Sequence, residues 1–273
     1  FSKGADLIGT EANLGLIDMP FDIANVSCAA GKAPAHTRIG WMRSVTNINH
    51  AFAIGSFVDE IAHAKGLDSK DHLLSMLGED RKIDFALENA EYGNYGETLE
   101  KFPVDTARMK AVIEKVSAMA KWDRKLPKGH GLGIAMHRSF VSYVACIVEV
   151  SENSDGKISV DDVWMAVDCG LAVNPERIRS QMEGAAIFAL SYSFYSELTA
   201  KNGVIEQNNF DNYQIARFAD APTTHVEIID SDAPPGGVGE PGVPPIAPAI
   251  CNAIFNATGK RYRELPLKQY GIV

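Results

Sequence analysis

The stretch that most restricts the architecture runs from residue 131 to residue 170: GLGIAMHRSFVSYVACIVEV, a polar segment containing NSDGK, then ISVDDVWMAVDCG. Val and Ile are concentrated in both runs, with Phe and Tyr in the first and Trp in the second, and such side chains favour extended backbone. Between them stands Asp155-Gly156, a dipeptide suited to the positive backbone angles of a tight turn. The pattern predicts two strands around a short loop, so a sheet is part of the fold.

Helical spacing flanks this hairpin. From His50 the apolar residues Phe52, Ala53, Phe57, Ile61 and Ala64 recur along one face, with Gly66 where a helix ends, which predicts a helix from His50 to Lys65. Asp71 to Leu77 and Asp105 to Lys121 predict two more; the second starts on Asp105 as N-cap and turns Met109, Val112, Ile113, Val116 and Met119 inward. PERIRSQMEGAAIFALSYSFY has Pro175 in a first-turn position and small or aromatic residues on all sides, which predicts a buried helix. Pro244 to Thr258 predicts the last helix, with Gly259 past its end. VIEQNNF and THVEIID read as short strands, Lys201-Asn202-Gly203 as a hairpin tip, EYGNYGETLEKFP as loop, and residues 1–40 as irregular chain with short strands. The sum is an α+β fold, mixed sheets with packed helices. It divides into residues 1–125 and 126–273, or forms one continuous domain.

Composition narrows the function. With 35 acidic against 26 basic residues the formal charge is −9, and no cluster of Lys or Arg offers a track for a phosphate backbone, so nucleic acid is not an expected partner. Cys28, Cys146, Cys169 and Cys251 are scattered without a CxxC pair, which argues against a zinc site, an iron-sulfur site or a disulfide framework. The histidines stand singly, so no residue is assigned as a protein ligand to a metal. No apolar run approaches the ~20 residues of a membrane helix, and FSKGADLIGTEANLGL lacks the regions of a signal peptide. The missing initial Met leads us to expect a fragment, a processed chain or a trimmed piece. No GxSxG elbow speaks for a hydrolase.

One carboxylate stands out: Glu240 in GGVGEPGVPPIAPAICNAIFNATGK, residues 236–260. Glycines on both sides let backbone approach a ligand, Pro241 restricts φ beside it, and the following helix directs unpaired N–H groups toward the loop. Composition alone favours a solvated turn.

The segment resembles the GEPP-type stretch near the end of the molybdenum-binding subunit in the xanthine oxidase and aldehyde oxidase family. GWMRSVTNINHAFAIGSFVDEIA, GLGIAMHRSFVSYVACIVEV and VDCGLAVNPERIRSQMEGAAIFALS agree in order and character, and the likeness runs from about Pro20 to Pro266. Within the family it is most similar to the branch of the isoquinoline 1-oxidoreductase beta subunit. The resemblance implies a molybdenum-dependent hydroxylase of N-heterocycles or aldehydes, with Glu240 as general base. Gln181, Arg43, Gly239 and Ser44 then border the cofactor, and Val45 lines the substrate pocket where purine oxidases carry an aromatic residue. Asp168 and Asn174 also match but read as turn residues, and His137 as a hydrogen-bonded core histidine. The implied cofactor is molybdenum-molybdopterin, in the cytosine dinucleotide form, with iron-sulfur clusters on a separate subunit.

The family's glycine-glutamine loop for the pterin is absent, so the resemblance implies a C-terminal portion with half of the cofactor site, inactive alone. Implied partners are the remainder of the large subunit, a small iron-sulfur subunit, a downstream electron acceptor and a small-molecule substrate. Location stays open between periplasm and cytoplasm of a bacterium. A non-catalytic scaffold that binds a partner subunit is the alternative reading.

Overall fold

The computed structural model of the protein describes residues 9–29, 39–87 and 90–273. The region read as one hairpin is a three-stranded antiparallel meander of β1 (His130–Ser139), β2 (Ser142–Glu152) and β3 (Ile158–Asp168). The run taken as the first strand folds back on itself at Phe140 and Val141, whose φ angles are 51° and 57°. Both turn residues are left-handed, as a twist-matched two-residue hairpin needs. Neither is Gly, Asn or Asp, so composition gives no sign of the turn.

After a small hairpin of β4 (Ala200–Lys201) and β5 (Val204–Ile205), β6 (Thr223–Ile228) joins β3 in parallel. The sheet order is β1-β2-β3-β6. The strand expected over VIEQNNF is confined to Val204–Ile205, because Asn212 Oδ1 accepts from the N–H groups of Asn208 and Asn209 and turns the chain there. Among the described residues before Gly40 there is one short helix, α1 (Gly9–Ala12), and no strand; the rest of residues 1–40 lies outside the described residues.

The longer helices are α2 (Asn47–Ala64), α3 (Ser69–Met76), α4 (Thr106–Ala120), α5 (Pro175–Phe194) and α6 (Ile246–Thr258). Asp105 caps α4 by accepting from Ala107 N at 2.9 Å, and Gly259 ends α6 at φ 74°. The last helix starts two residues later than its first proline suggests, since Pro244 and Pro245 form the turn that precedes it.

Helices cover the sheet on both faces. On one, Val144, Cys146, Val148 and Val150 of β2 meet Met182 and Ala186 of α5 and Ile250 and Ile254 of α6. On the other, Tyr143, Ala145 and Ile147 meet Met109, Val112, Ile113 and Val116 of α4. Alternate residues of a strand point to opposite faces, so a strand covered twice reads as an unbroken apolar run. Each fully buried Ile or Met here stabilises the fold by ~1.5–3 kcal/mol. At Gly133 a Cβ would lie 2.2 Å from Ala249 O and from Ala253 N, so the close seat of α6 on β1 depends on glycine. Asn252 and Asn256 of α6 donate to Ile134 O and Leu132 O, pairing carbonyls of the edge strand β1.

The helix expected to be apolar all round is one-sided. Ile178, Met182, Ala185, Ala186 and Ala189 of α5 are buried, while Glu176, Ser180, Gln181 and Glu183 are exposed. Only one face reaches the sheet, and the other stays open at its N-terminal half.

Candidate active site

Glu240 ends a loop fastened to the ends of the meander. Gly236 N donates to Cys169 O at 2.8 Å, Gly237 N to Phe140 O at 2.9 Å, and Ser142 Oγ to Gly237 O at 2.7 Å. Beyond Glu240 the chain is buried from Pro241 to Ile250. At Gly242 a Cβ would come within 2.9 Å of Ala185 Cβ and of Met182 Sδ, so a larger residue would lift the loop from α5. The acid is therefore carried on anchored backbone that also touches the helix bearing Gln181.

The opposite side is the turn before α2. Ser44 N donates to Glu240 Oε1 at 2.7 Å, and Ser44 Oγ donates to Glu240 O at 2.8 Å. Arg43 Nε donates to Gly239 O at 2.8 Å, while its Nη2 donates to Gln181 Oε1 at 2.9 Å and to Gln181 O at 3.2 Å. The guanidinium also lies 5.8 Å from the centre of the Phe188 ring. One side chain thus ties its own segment to two others, 138 and 196 residues further along, in a single constellation. Burial pulls the Arg43 pKa down and the Glu240 carboxylate opposes that shift; a guanidinium remains cationic throughout.

The expected source of stabilisation for the carboxylate was the N-terminus of the last helix. Instead, the turn ahead of the helix contacts its carbonyl: Val243 N donates to Glu240 O at 3.0 Å, whereas the carboxylate takes the Ser44 N–H. The prolines that precede α6 cannot donate, which removes N–H groups from the end of the helix nearest the loop.

Ser44 and Val45 have φ angles of 75° and 52°. A left-handed β-branched residue is an outlier, and each such position costs on the order of 1–3 kcal/mol. Ser44 is fully buried and Val45 half-buried. The strained pair presents the Ser44 N–H and hydroxyl to the two ends of Glu240.

Bonding to Arg43 through Oε1 orients the Gln181 amide, so its NH₂ group points away from that contact and has no partner among the described residues. Glu240 Oε2 likewise has no partner among them. A Cβ added at Gly239 would meet nothing within 4 Å. The constellation therefore keeps one acceptor, one donor and an open backbone face for a ligand. Exposed Trp41 and Met42 adjoin Arg43, and exposed Leu171 and Val173 precede α5.

The other matched residues serve the frame. Asp168 accepts from Arg108 Nε at 2.7 Å and Nη2 at 2.5 Å, and from Gly170 N at 3.0 Å, which fixes the exit of β3. Asn174 caps α5 by accepting from Arg177 N at 3.1 Å. His137 is buried, with Nε2 2.9 Å from Asn47 Oδ1. Sequence reasoning did not single out Asn47, an ordinary polar residue at a helix start. It also left unseen a group on three neighbouring strands, His130, Glu149 and Asp161, whose ligand atoms lie within 4.8 Å of one another. Arg124 Nη2 reaches Glu149 Oε2 at 2.5 Å and His130 Nδ1 lies 3.0 Å from Glu149 Oε1, so protein groups already occupy both oxygens of that carboxylate.

A family model described as the molybdopterin cofactor-binding domain matches residues 64–222, a segment that includes Gln181. The chain is 31% identical over 238 residues to the membrane-bound aldehyde dehydrogenase (pyrroloquinoline-quinone) of Gluconacetobacter polyoxogenes, covering 85% of this chain and 29% of that protein. It is 31% identical over 232 residues to the beta subunit of isoquinoline 1-oxidoreductase from Brevundimonas diminuta, covering 84% and 26%. To one subunit of the nicotinate dehydrogenase of Pseudomonas putida it is 28% identical over 254 residues, covering 91% and 20%. The chain spans less than a third of the length of each of these relatives. The aldehyde oxidoreductase of Desulfovibrio gigas has the same fold, at a TM-score of 0.66 and 12% identity over 94% of this chain and 44% of that one.

Proposed function

The chain belongs to the molybdopterin cofactor-binding domain family, and on that premise we propose that the constellation of Arg43, Gln181 and Glu240 is one wall of the active site of a molybdenum-dependent hydroxylase. The observation that carries this reading is Glu240 pinned through one carboxylate oxygen, with the other left to accept a proton.

The residues present fit such a group. Gln181 keeps free amide hydrogens that can donate to an oxygen ligand, and the open Gly239 backbone admits close approach. When bound, the cofactor supplies the two-electron redox chemistry. The chain's own task is proton transfer and alignment. Glu240 Oε2 takes the proton released as the substrate carbon gains oxygen, and the Ser44 N–H holds the other carboxylate oxygen in place. Anchored backbone on both sides limits the freedom the carboxylate must give up to reach its proton. Arg43 aligns Gln181 with Gly239, and Val45, aliphatic where an aromatic could stack, shapes the substrate pocket.

The substrates are N-heterocycles such as isoquinoline, or aldehydes; the names of the relatives support both classes. The cofactor takes the cytosine dinucleotide form, and iron-sulfur clusters on a separate small subunit pass electrons to an acceptor. The remainder of the large subunit forms the facing wall, where exposed Trp41, Met42, Leu171 and Val173 suit burial against it. This chain alone turns over no substrate.

In the complete enzyme, Glu240→Gln keeps the hydrogen bond from Ser44 but cannot accept a proton as a base. Molybdenum content stays at the wild-type level while turnover falls by a factor on the order of a thousand or more. Near-normal turnover refutes the assignment of the base. An intact complex without molybdenum favours the scaffold reading.

A further inference from the structure

We infer that Asn47 is a positioning residue for the Glu240 carboxylate, acting through the turn that carries Ser44. The inference rests on the reading of Glu240 as base. Asn47, the first residue of α2, is completely buried and hydrogen-bonds through both ends of its amide. Nδ2 donates to Ser44 O at 3.0 Å, while Oδ1 accepts from Tyr95 Oη at 3.1 Å and faces His137 Nε2 at 2.9 Å.

These partners permit one orientation. A carbonyl oxygen can only accept, so the NH₂ end must face Ser44 and the oxygen must face Tyr95 and His137. His137 is then the donor, through a protonated Nε2. Burial, with the charges of His50 and Arg138, pushes its pKa down to about 3, so the ring stays neutral and keeps that tautomer near neutral pH. The ring is seated closely: a Cβ at Gly15, whose φ is 99°, would fall 2.6 Å from its Cε1. Tyr95 is braced by the Phe140 ring at 5.0 Å.

Ser44 O receives a second bond from the same residue, the backbone N–H of Asn47 at 3.1 Å. The carbonyl that Asn47 grips and the N–H that Glu240 receives lie on the two sides of one left-handed residue. The φ and ψ of Ser44 set the angle between them, and neither Ser44 nor Val45 favours that region. Without the Nδ2 bond the pair relaxes toward ordinary backbone angles and draws the Ser44 N–H away from Oε1. Fold stability alone would ask only that the buried amide be satisfied; the placement of its donor on a strained residue bonded to the base points to alignment.

The test uses the complete native protein, with Asn47→Ala and the milder Tyr95→Phe. Native-state amide exchange at Ser44 accelerates about tenfold or more in Asn47→Ala while amides of β2 keep their rates; Tyr95→Phe moves Ser44 in the same direction by a smaller factor. In the holoenzyme kcat falls about tenfold or more in Asn47→Ala, with KM within about threefold. Wild-type exchange at Ser44, or equal acceleration at Ser44 and in β2, overturns the inference. Should Asn47→Ala fail to fold, Tyr95→Phe decides, and unchanged Ser44 exchange there overturns it. Exchange needs neither substrate nor turnover, so the two readings fail separately: selectively faster Ser44 exchange with unchanged kcat removes Glu240 as base and leaves the hold on the turn intact.

Discussion

His137 gives a prediction whose size can be worked from its surroundings. The ring is 9% exposed, and its pKa is pushed from 6.5 down to about 3, first by burial and then by the charges of His50 and Arg138. As pH falls, the unfolded chain binds a proton at this histidine near its ordinary pKa, while the native state refuses it until about 3. Between those values the unfolded state carries more protons, so stability is full above the ordinary pKa and declines as pH drops below it. From about pH 7.5 to about pH 5 the loss from this one group is about 2 kcal/mol. His137→Gln keeps an N–H donor for Asn47 and removes the titration. Urea denaturation of both proteins at the two pH values isolates the term, because shared groups such as Asp18, whose carboxyl burial pushes up, cancel in the difference. The wild type loses about 2 kcal/mol more than His137→Gln over that interval. Equal losses in the two proteins would refute the assignment of a buried neutral ring donating to Asn47.

Two further substitutions test the frame. Arg108→Leu strands the Asp168 carboxylate, which is 4% exposed, and destabilises by ~3–5 kcal/mol in chemical denaturation; wild-type stability would mean that water reaches Asp168. Gly133→Ala forces a methyl into the backbone of α6 and costs about 3 kcal/mol, read as a lowered Tm. An unchanged Tm would show that α6 can move off β1.

Much of the fold was legible because its signals are local. Asp105 and Asn174 cap helices by contacts within three residues, and Gly259 ends α6 where a left-handed residue is needed. The strands of the meander could be read from β-branched composition, but the turn at Phe140 and Val141 could not. Nothing local recommends those residues for left-handed backbone; strand pairing and the bond from Gly237 to Phe140 impose it. The same holds for α5, whose composition suggested burial all round and whose exposed side became evident only once one face was seated on the sheet.

The candidate site divides in the same way. Residue types near Glu240, Gln181 and Arg43 pointed to a family and hence to roles, a likeness carried by the order of short motifs along the chain. What joins them is the folded chain: Arg43 reaches residues 138 and 196 positions away, and Asn47 meets a histidine 90 positions on. Linear order records propensities and caps within a few residues, whereas a hydrogen bond across the domain exists only after the sheet and its two helical layers have packed. The identity of the acid therefore belongs to the chain, and its hold by a strained Ser44, backed by Asn47, belongs to the tertiary structure.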